Sequence, residues 1–119
     1  MPHVLLASGD WHFRALVRAQ LIEEGIEAEA HETAREALNG ITGLRKLPAL
    51  IVADLAGSPH PAAGIDLLAR WTPILPVWIV LPHTMKVDRP IEHLGFDRVI
   101  YRPLDLATLV QEIKERSGL

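Results

Sequence analysis

Apolar residues in this chain gather into short unbroken runs. VLLA (4–7), LIVA (50–53), VWIVL (77–81) and VIY (99–101) are each of strand length. A run that is apolar at every position belongs to a strand covered on both faces, as in a parallel sheet. IEAEA (26–30) alternates instead, which predicts an edge strand with one wet side. Between these runs the spacing becomes helical. Residues 11–24 place Leu16, Val17, Ala19 and Leu21 among Arg14, Arg18 and Glu24, with Gly25 as the stop. TARE (33–36) reads as a capping box, with Thr33 accepting from the first turn and Glu36 reaching back. That second helix is expected to end near Gly43, and Pro48 forbids its continuation. Residues 62–71 predict a short third helix. Residues 84–95 form the poorest segment, because Pro90 lies inside it. Asp105 then caps a final helix with Leu106, Leu109, Val110 and Ile113 on one stripe.

The order is strand then helix, five times over. Right-handed crossovers of this length predict an α/β fold with a doubly wound five-stranded parallel sheet in the order 2-1-3-4-5. The carboxyl ends of the strands then share one edge, where such folds bind their ligands. That edge collects Ser8, Gly9 and Asp10 after strand 1, Asp54 at the end of strand 3, Leu81 to His83 after strand 4, and Arg102 after strand 5.

Composition narrows the chemistry. With 119 residues the chain predicts one domain over 1–119, large enough to bury a core without staples. It has no cysteine, so disulfides and thiolate sites are excluded. A formal net charge of -3 gives no basic excess for a phosphate backbone, which argues against nucleic acid as a partner. No apolar run approaches the roughly 20 residues of a membrane span, and MPHVLLASGD lacks the basic region of a leader. The expectation is a cytoplasmic protein without a membrane role.

The residues at the strand-end edge carry a family resemblance. In length, in element order, and in placing IVAD at 51–54, the chain resembles the receiver domain of bacterial two-component response regulators, a flavodoxin-like (βα)5 fold. YRPLDLATL (101–109) resembles that family's strand 5 and last helix, and PVWIVL (76–81) its fourth strand. The resemblance implies Asp54 as the candidate phosphoacceptor, Asp10 and Asp54 as candidate Mg²⁺ ligands, and a cis Arg102–Pro103 bond. It also implies protein partners: a histidine kinase, a downstream output protein, or a second copy. Contact would run through the face of the fourth helical segment, strand 5 and the last helix.

Several positions depart from the family pattern. Ser8 and Gly9 stand where receivers carry two acidic metal ligands, and Asp10 comes one residue late. Leu81 replaces the Thr or Ser that hydrogen-bonds the phosphoryl group, and leucine donates nothing. Arg102 replaces the strand 5 lysine, exchanging a compact ammonium for a planar fork. Val99 falls at the position of the switch aromatic, with Tyr101 two residues on. The loop DLAGSPHPAAG (54–64) is long and stiffened by Pro59 and Pro61. Without a metal, Arg102 is expected to pair with Asp54 through its two-pronged guanidinium. Asp10 is expected to cap the first helix.

Two readings of function follow. The first is a pseudo-receiver, a signalling module that acts by protein contact and not as an enzyme, with no cofactor. The alternative is a working receiver, phosphorylated on Asp54 with atypical Mg²⁺ binding. Other chemistries are weaker. His12, His60 and His83 map near the same edge, but spacing alone does not make a metal site. GDWHFRA (9–15) resembles part of the cobalamin-binding Asp-x-His-x-x-Gly motif, with Ala15 at its Gly position. No phosphate-cradling loop for a flavin follows strand 1. Trp11, Trp71 and Trp78 read as core or interface packing, with Trp78 buried.

Overall fold

A computed structural model describes residues 3–41, 47–83 and 91–118. Five parallel strands, β1 (His3–Ser8), β2 (Glu27–His31), β3 (Leu50–Asp54), β4 (Val77–Leu81) and β5 (Arg98–Tyr101), form one sheet in the order 2-1-3-4-5. Among the described residues four α-helices connect or follow them: α1 (Trp11–Glu23), α2 (Ala34–Ile41), α3 (Pro61–Ala69) and α4 (Leu106–Arg116). The doubly wound α/β fold expected from the sequence is the observed one.

Residue parity on each strand divides the core. Leu5, Ala7, Ile51, Ala53, Ile79 and Leu81 face α2 and α3 on one side of the sheet. Val4, Leu6, Leu50, Val52 and Trp78 face the other, where α1 contributes Phe13, Val17 and Leu21, and α4 contributes Leu109, Val110 and Ile113. All five residues of β3 and of β4 are buried. Both faces are therefore dry, which is why these strands read as unbroken apolar runs. The alternating segment is one edge strand, with Glu27 exposed and Ala28 buried, although it begins one residue later than its pattern suggested. The VIY run, expected to be covered on both faces, is the other edge, and no residue of β5 is fully buried because it has a neighbour strand on one side only.

Local signals place most helix ends. Asp10 caps α1, Gly25 follows it at φ +81°, and Thr33 Oγ1 accepts the Glu36 N–H at 3.1 Å. Asp105 accepts from the Thr108 N–H at 3.1 Å at the start of α4. The third helix runs from 61 to 69 instead of 62 to 71. Pro61 opens it, since its fixed φ suits a first helical position and the missing N–H costs nothing there. The expected end of the second helix near Gly43 lies outside the described residues. So does most of the fourth helical segment, of which the described part is a single 3₁₀ turn, Ile91–Leu94. Gly95 ends that turn at φ +88°, where a Cβ would come within 2.8 Å of Thr72 Oγ1.

A polar clasp ties β4, β5 and α4 together. Trp78, buried as expected, donates its Nε1–H to Asp97 Oδ2 at 2.7 Å, and Arg116 Nε donates to the same oxygen at 2.9 Å. The Arg116 guanidinium, and then the Trp78 indole, hold the Asp97 carboxyl below its ordinary range. A carboxyl depressed in the folded state contributes stability above its unfolded pKa of about 4, and loses it as pH falls through the folded value. Wild type should therefore lose stability more steeply than Asp97→Asn on acidification below about pH 4. Urea midpoints measured as a function of pH check this; parallel acid limbs would exclude the clasp as a source of stability.

Candidate functional site

Parallel register creates the site. Ser8 pairs with Asp54 across β1 and β3, and Leu81 with Tyr101 across β4 and β5, so the strand ends come out at one level. Asp54 is the last residue of a fully buried strand and its side chain has no exposed surface. A buried carboxylate must be paired and hydrogen-bonded, and the neighbouring loops supply the partners. Oδ2 accepts from Ser8 Oγ at 2.8 Å and from Arg102 Nη2 at 2.7 Å, while Oδ1 accepts the Ala56 N–H at 3.1 Å.

Arg102 reaches Asp54 because the backbone after β5 is held in place. Its own N–H donates to the Leu81 carbonyl at 2.9 Å, and the Arg102–Pro103 bond is cis. The guanidinium lies over the Phe13 ring at 4.8 Å from the centroid, a cation–π arrangement. The expected two-pronged pairing with Asp54 is not what forms. One nitrogen, Nη2, serves both Asp54 at 2.7 Å and Asp10 Oδ2 at 3.3 Å. Oδ1 of Asp54 accepts the Ala56 N–H and no bond from Arg102. Nε is buried and has no hydrogen-bond partner.

Asp10 has two roles in this arrangement. Its Oδ1 accepts the N–H groups of His12 and Phe13 at 3.1 and 3.2 Å, and its Oδ2 faces Arg102. The Phe13 amide bond is the main influence holding its carboxyl below the ordinary range, and Arg102 adds to it. Sequence reasoning found the cap and the Arg102–Asp54 pair. It missed Ser8 as a donor to Asp54, having treated that serine only as an absent acid, and it missed Phe13 beneath the guanidinium. A serine directly after the apolar run VLLA, closing β1, was the available signal for the first. The second had none, because Phe13 reads as an ordinary core residue of α1.

The structure does bring Asp10 and Asp54 to one place, as metal ligation would require. What lies between them is a guanidinium. Mg²⁺ needs open oxygen donors in near-octahedral array, whereas the oxygens here are committed to Arg102, Ser8 and backbone N–H groups. The residues present do not fit the ion, and its entry would set two cations against each other. Leu81 is wholly buried in the core and offers no donor toward the site. Val99 packs against the core, and Tyr101 projects outward, 48% exposed. His12, His60 and His83 are exposed, with His12 stacked on Trp11 at 3.7 Å between ring centroids. Among the described residues no three His, Asp or Glu side chains converge as a metal site would need. No helix of the described residues is long and apolar enough to cross a membrane.

No family model matches the chain. No curated protein matches it either. Solved structures do. A response regulator receiver protein from Burkholderia phymatum superposes with a TM-score of 0.77 at 18% identity, covering 100% of this chain and 97% of that one. The CheY-like receiver domain from Methanospirillum hungatei JF-1 gives 0.77 at 21% identity, covering 98% and 93%. The non-phosphorylated HemR receiver domain of Leptospira biflexa gives 0.78 at 19% identity, covering 100% and 96%. At such identities the likeness is one of architecture, and this chain has the fold of a response regulator receiver domain.

Proposed function

We propose that the protein serves in signal transduction as a pseudo-receiver, a binding module whose protein contacts do not depend on a phosphoryl group. One observation carries the reading: the Asp54 carboxylate is closed by Arg102, Ser8 and the Ala56 N–H. Phosphoryl transfer to a carboxylate needs a free oxygen in line with the donor and a cation offsetting the charge of both reactants. Here neither oxygen is free, Oδ2 accepting two hydrogen bonds and Oδ1 one, and the cation present is tethered to the chain. Arg102 does statically what a metal and a phosphoryl group would do reversibly. A module held in one state suits constitutive contact. The exposed Tyr101 at the end of β5 is the anchor, since aromatic residues dominate interface energetics. Its partner would be a kinase, an output protein or a second copy.

The experiment is incubation with acetyl phosphate and Mg²⁺, followed by intact mass measurement and by light scattering over a concentration series. Expected are no substantial phosphoryl adduct and an association state unchanged by the donor. Near-complete labelling that disappears in Asp54→Asn would overturn the reading in favour of a working receiver.

A further inference from the structure

The strand-end edge also holds a cleft of about 400 Å³ on the side of Asp54 away from Arg102's ring contact, between the loop after β1, the start of α2, and the loop leading into α3. Its volume is within the range of small-molecule sites, and it lies at the end of the sheet where this architecture binds ligands. Apolar walls come from Leu55, Pro59, Ala63 and Leu67. Gly9 and Gly57 contribute bare backbone, with a Cβ built on Gly9 lying 3.7 Å from the Gly57 carbonyl oxygen. Nothing in the arrangement around Asp54 requires this space.

Charge at the cleft selects the occupant. Asp54 forms part of the lining, but its carboxylate is neutralised by Arg102. Arg35 and His60 stand at the mouth, both exposed, and Arg35 has no hydrogen bond or ion pair among the described residues. A guanidinium beside an apolar slot matches a carboxylate on an apolar body, because the head can form charge-assisted hydrogen bonds while the body leaves water. Glu32 is also at the mouth. It opposes negative charge in proportion to its amount, which disfavours phosphate esters and dicarboxylates more than a single carboxylate.

We propose that this cleft binds a small aromatic monocarboxylate, with the ring system between Leu55, Ala63 and Leu67 and the carboxylate at Arg35. The bound ligand touches the loop after β1 and the loop after β3 together, and those loops carry Asp10 and Asp54. Occupancy would thus be a non-covalent input to the edge that a phosphoryl group occupies in a working receiver. The site shares one premise with the proposed function, the Arg102–Asp54 pair that neutralises the carboxylate in its lining. The titration below needs no phosphodonor, so its failure and a failure of the proposed function are read separately.

The test is an amide NMR titration of the intact chain with 2-naphthylacetate, and with 2-naphthylmethylamine as the cation of similar shape. Saturable shifts at Gly9, Gly57 and Gly64 are expected at millimolar acid, with the amine weaker. Arg35→Gln should weaken acid binding about tenfold, the loss of one charge-assisted contact. Ala63→Leu, which fills the cleft from an exposed helical position, should abolish the shifts. Any of three results would overturn the proposal: shifts that fail to saturate or spread over the surface, an amine that binds as well as the acid, or either variant binding like wild type.

Discussion

Replacing Arg102 by alanine should destabilise the protein by about 2–3 kcal/mol, far more than an ordinary surface change. The side chain is 30% exposed, yet its partner Asp54 is wholly buried. The loss comes mainly from what stays behind: a carboxylate in a dry site that has lost its cation among the described residues. Asp10 loses the same neighbour, and Phe13 loses the guanidinium over its ring. Partial exposure keeps the figure below that of a fully buried pair, because water can reach into the vacated space. In a domain of this size the melting temperature should fall by roughly 10 °C. A double-mutant cycle with Asp54→Asn isolates the pair. Arg102→Ala should cost much less when Asp54 is already neutral, and equal costs in both backgrounds would rule out the ion pair as the cause.

Ser8→Asp should have an effect of similar size, and one that metal changes. Ser8 is buried and donates to Asp54 Oδ2 at 2.8 Å. The substitution removes that donor and places a second carboxylate beside the first, with Arg102 already engaged by Asp54 and Arg14 held on the residue 8 carbonyl at 2.6 Å. Like charges so close in a dry site cannot both ionise without a large cost. A loss of about 2–4 kcal/mol is expected in the absence of divalent ions. Mg²⁺ should then recover part of it, since an ion that binds the folded state alone stabilises by mass action. Wild type, whose oxygens are committed, should show no Mg²⁺-dependent shift in its denaturation midpoint. A variant as stable as wild type without metal would mean that the site is wetter and less crowded than its geometry indicates. A clear Mg²⁺ effect on wild type would mean that Arg102 yields to the ion.

Much of the architecture was legible along the chain because its causes are local. Runs covered on both faces declare themselves, as β3 and β4 do, and an alternating segment declares an edge, as β2 does. Asp10, Thr33 and Asp105 act on amides two or three residues away, so their caps follow from short spacing. Errors arose where local signals conflicted. Pro61 opened α3 where the pattern started one residue later, and the described end of the segment around Pro90 is a 3₁₀ turn where a helix was considered.

The site divides along the same line. That Asp54 would end a buried strand at the edge, with Arg102 arriving there from strand 5, followed from strand order alone. How they meet did not. Asp54 and Arg102 are 48 residues apart, and Asp54 and Ser8 are 46 apart. Whether the guanidinium grips one carboxylate with two prongs or two carboxylates with one depends on how the ends of β1, β3 and β5 are placed against one another. The cleft beneath Arg35 likewise has no linear signature, being the space left between two loops and a helix that pack independently on the sheet. Sequence by itself determined the layers, the order of strands and the set of residues at their ends, because burial period and turn chemistry act over a few positions. Only the tertiary structure decided which of those residues share a proton donor, which share a cation and which border an open space. Those relations are distances of about 3 Å between distant parts of the chain, set by the packing of the whole.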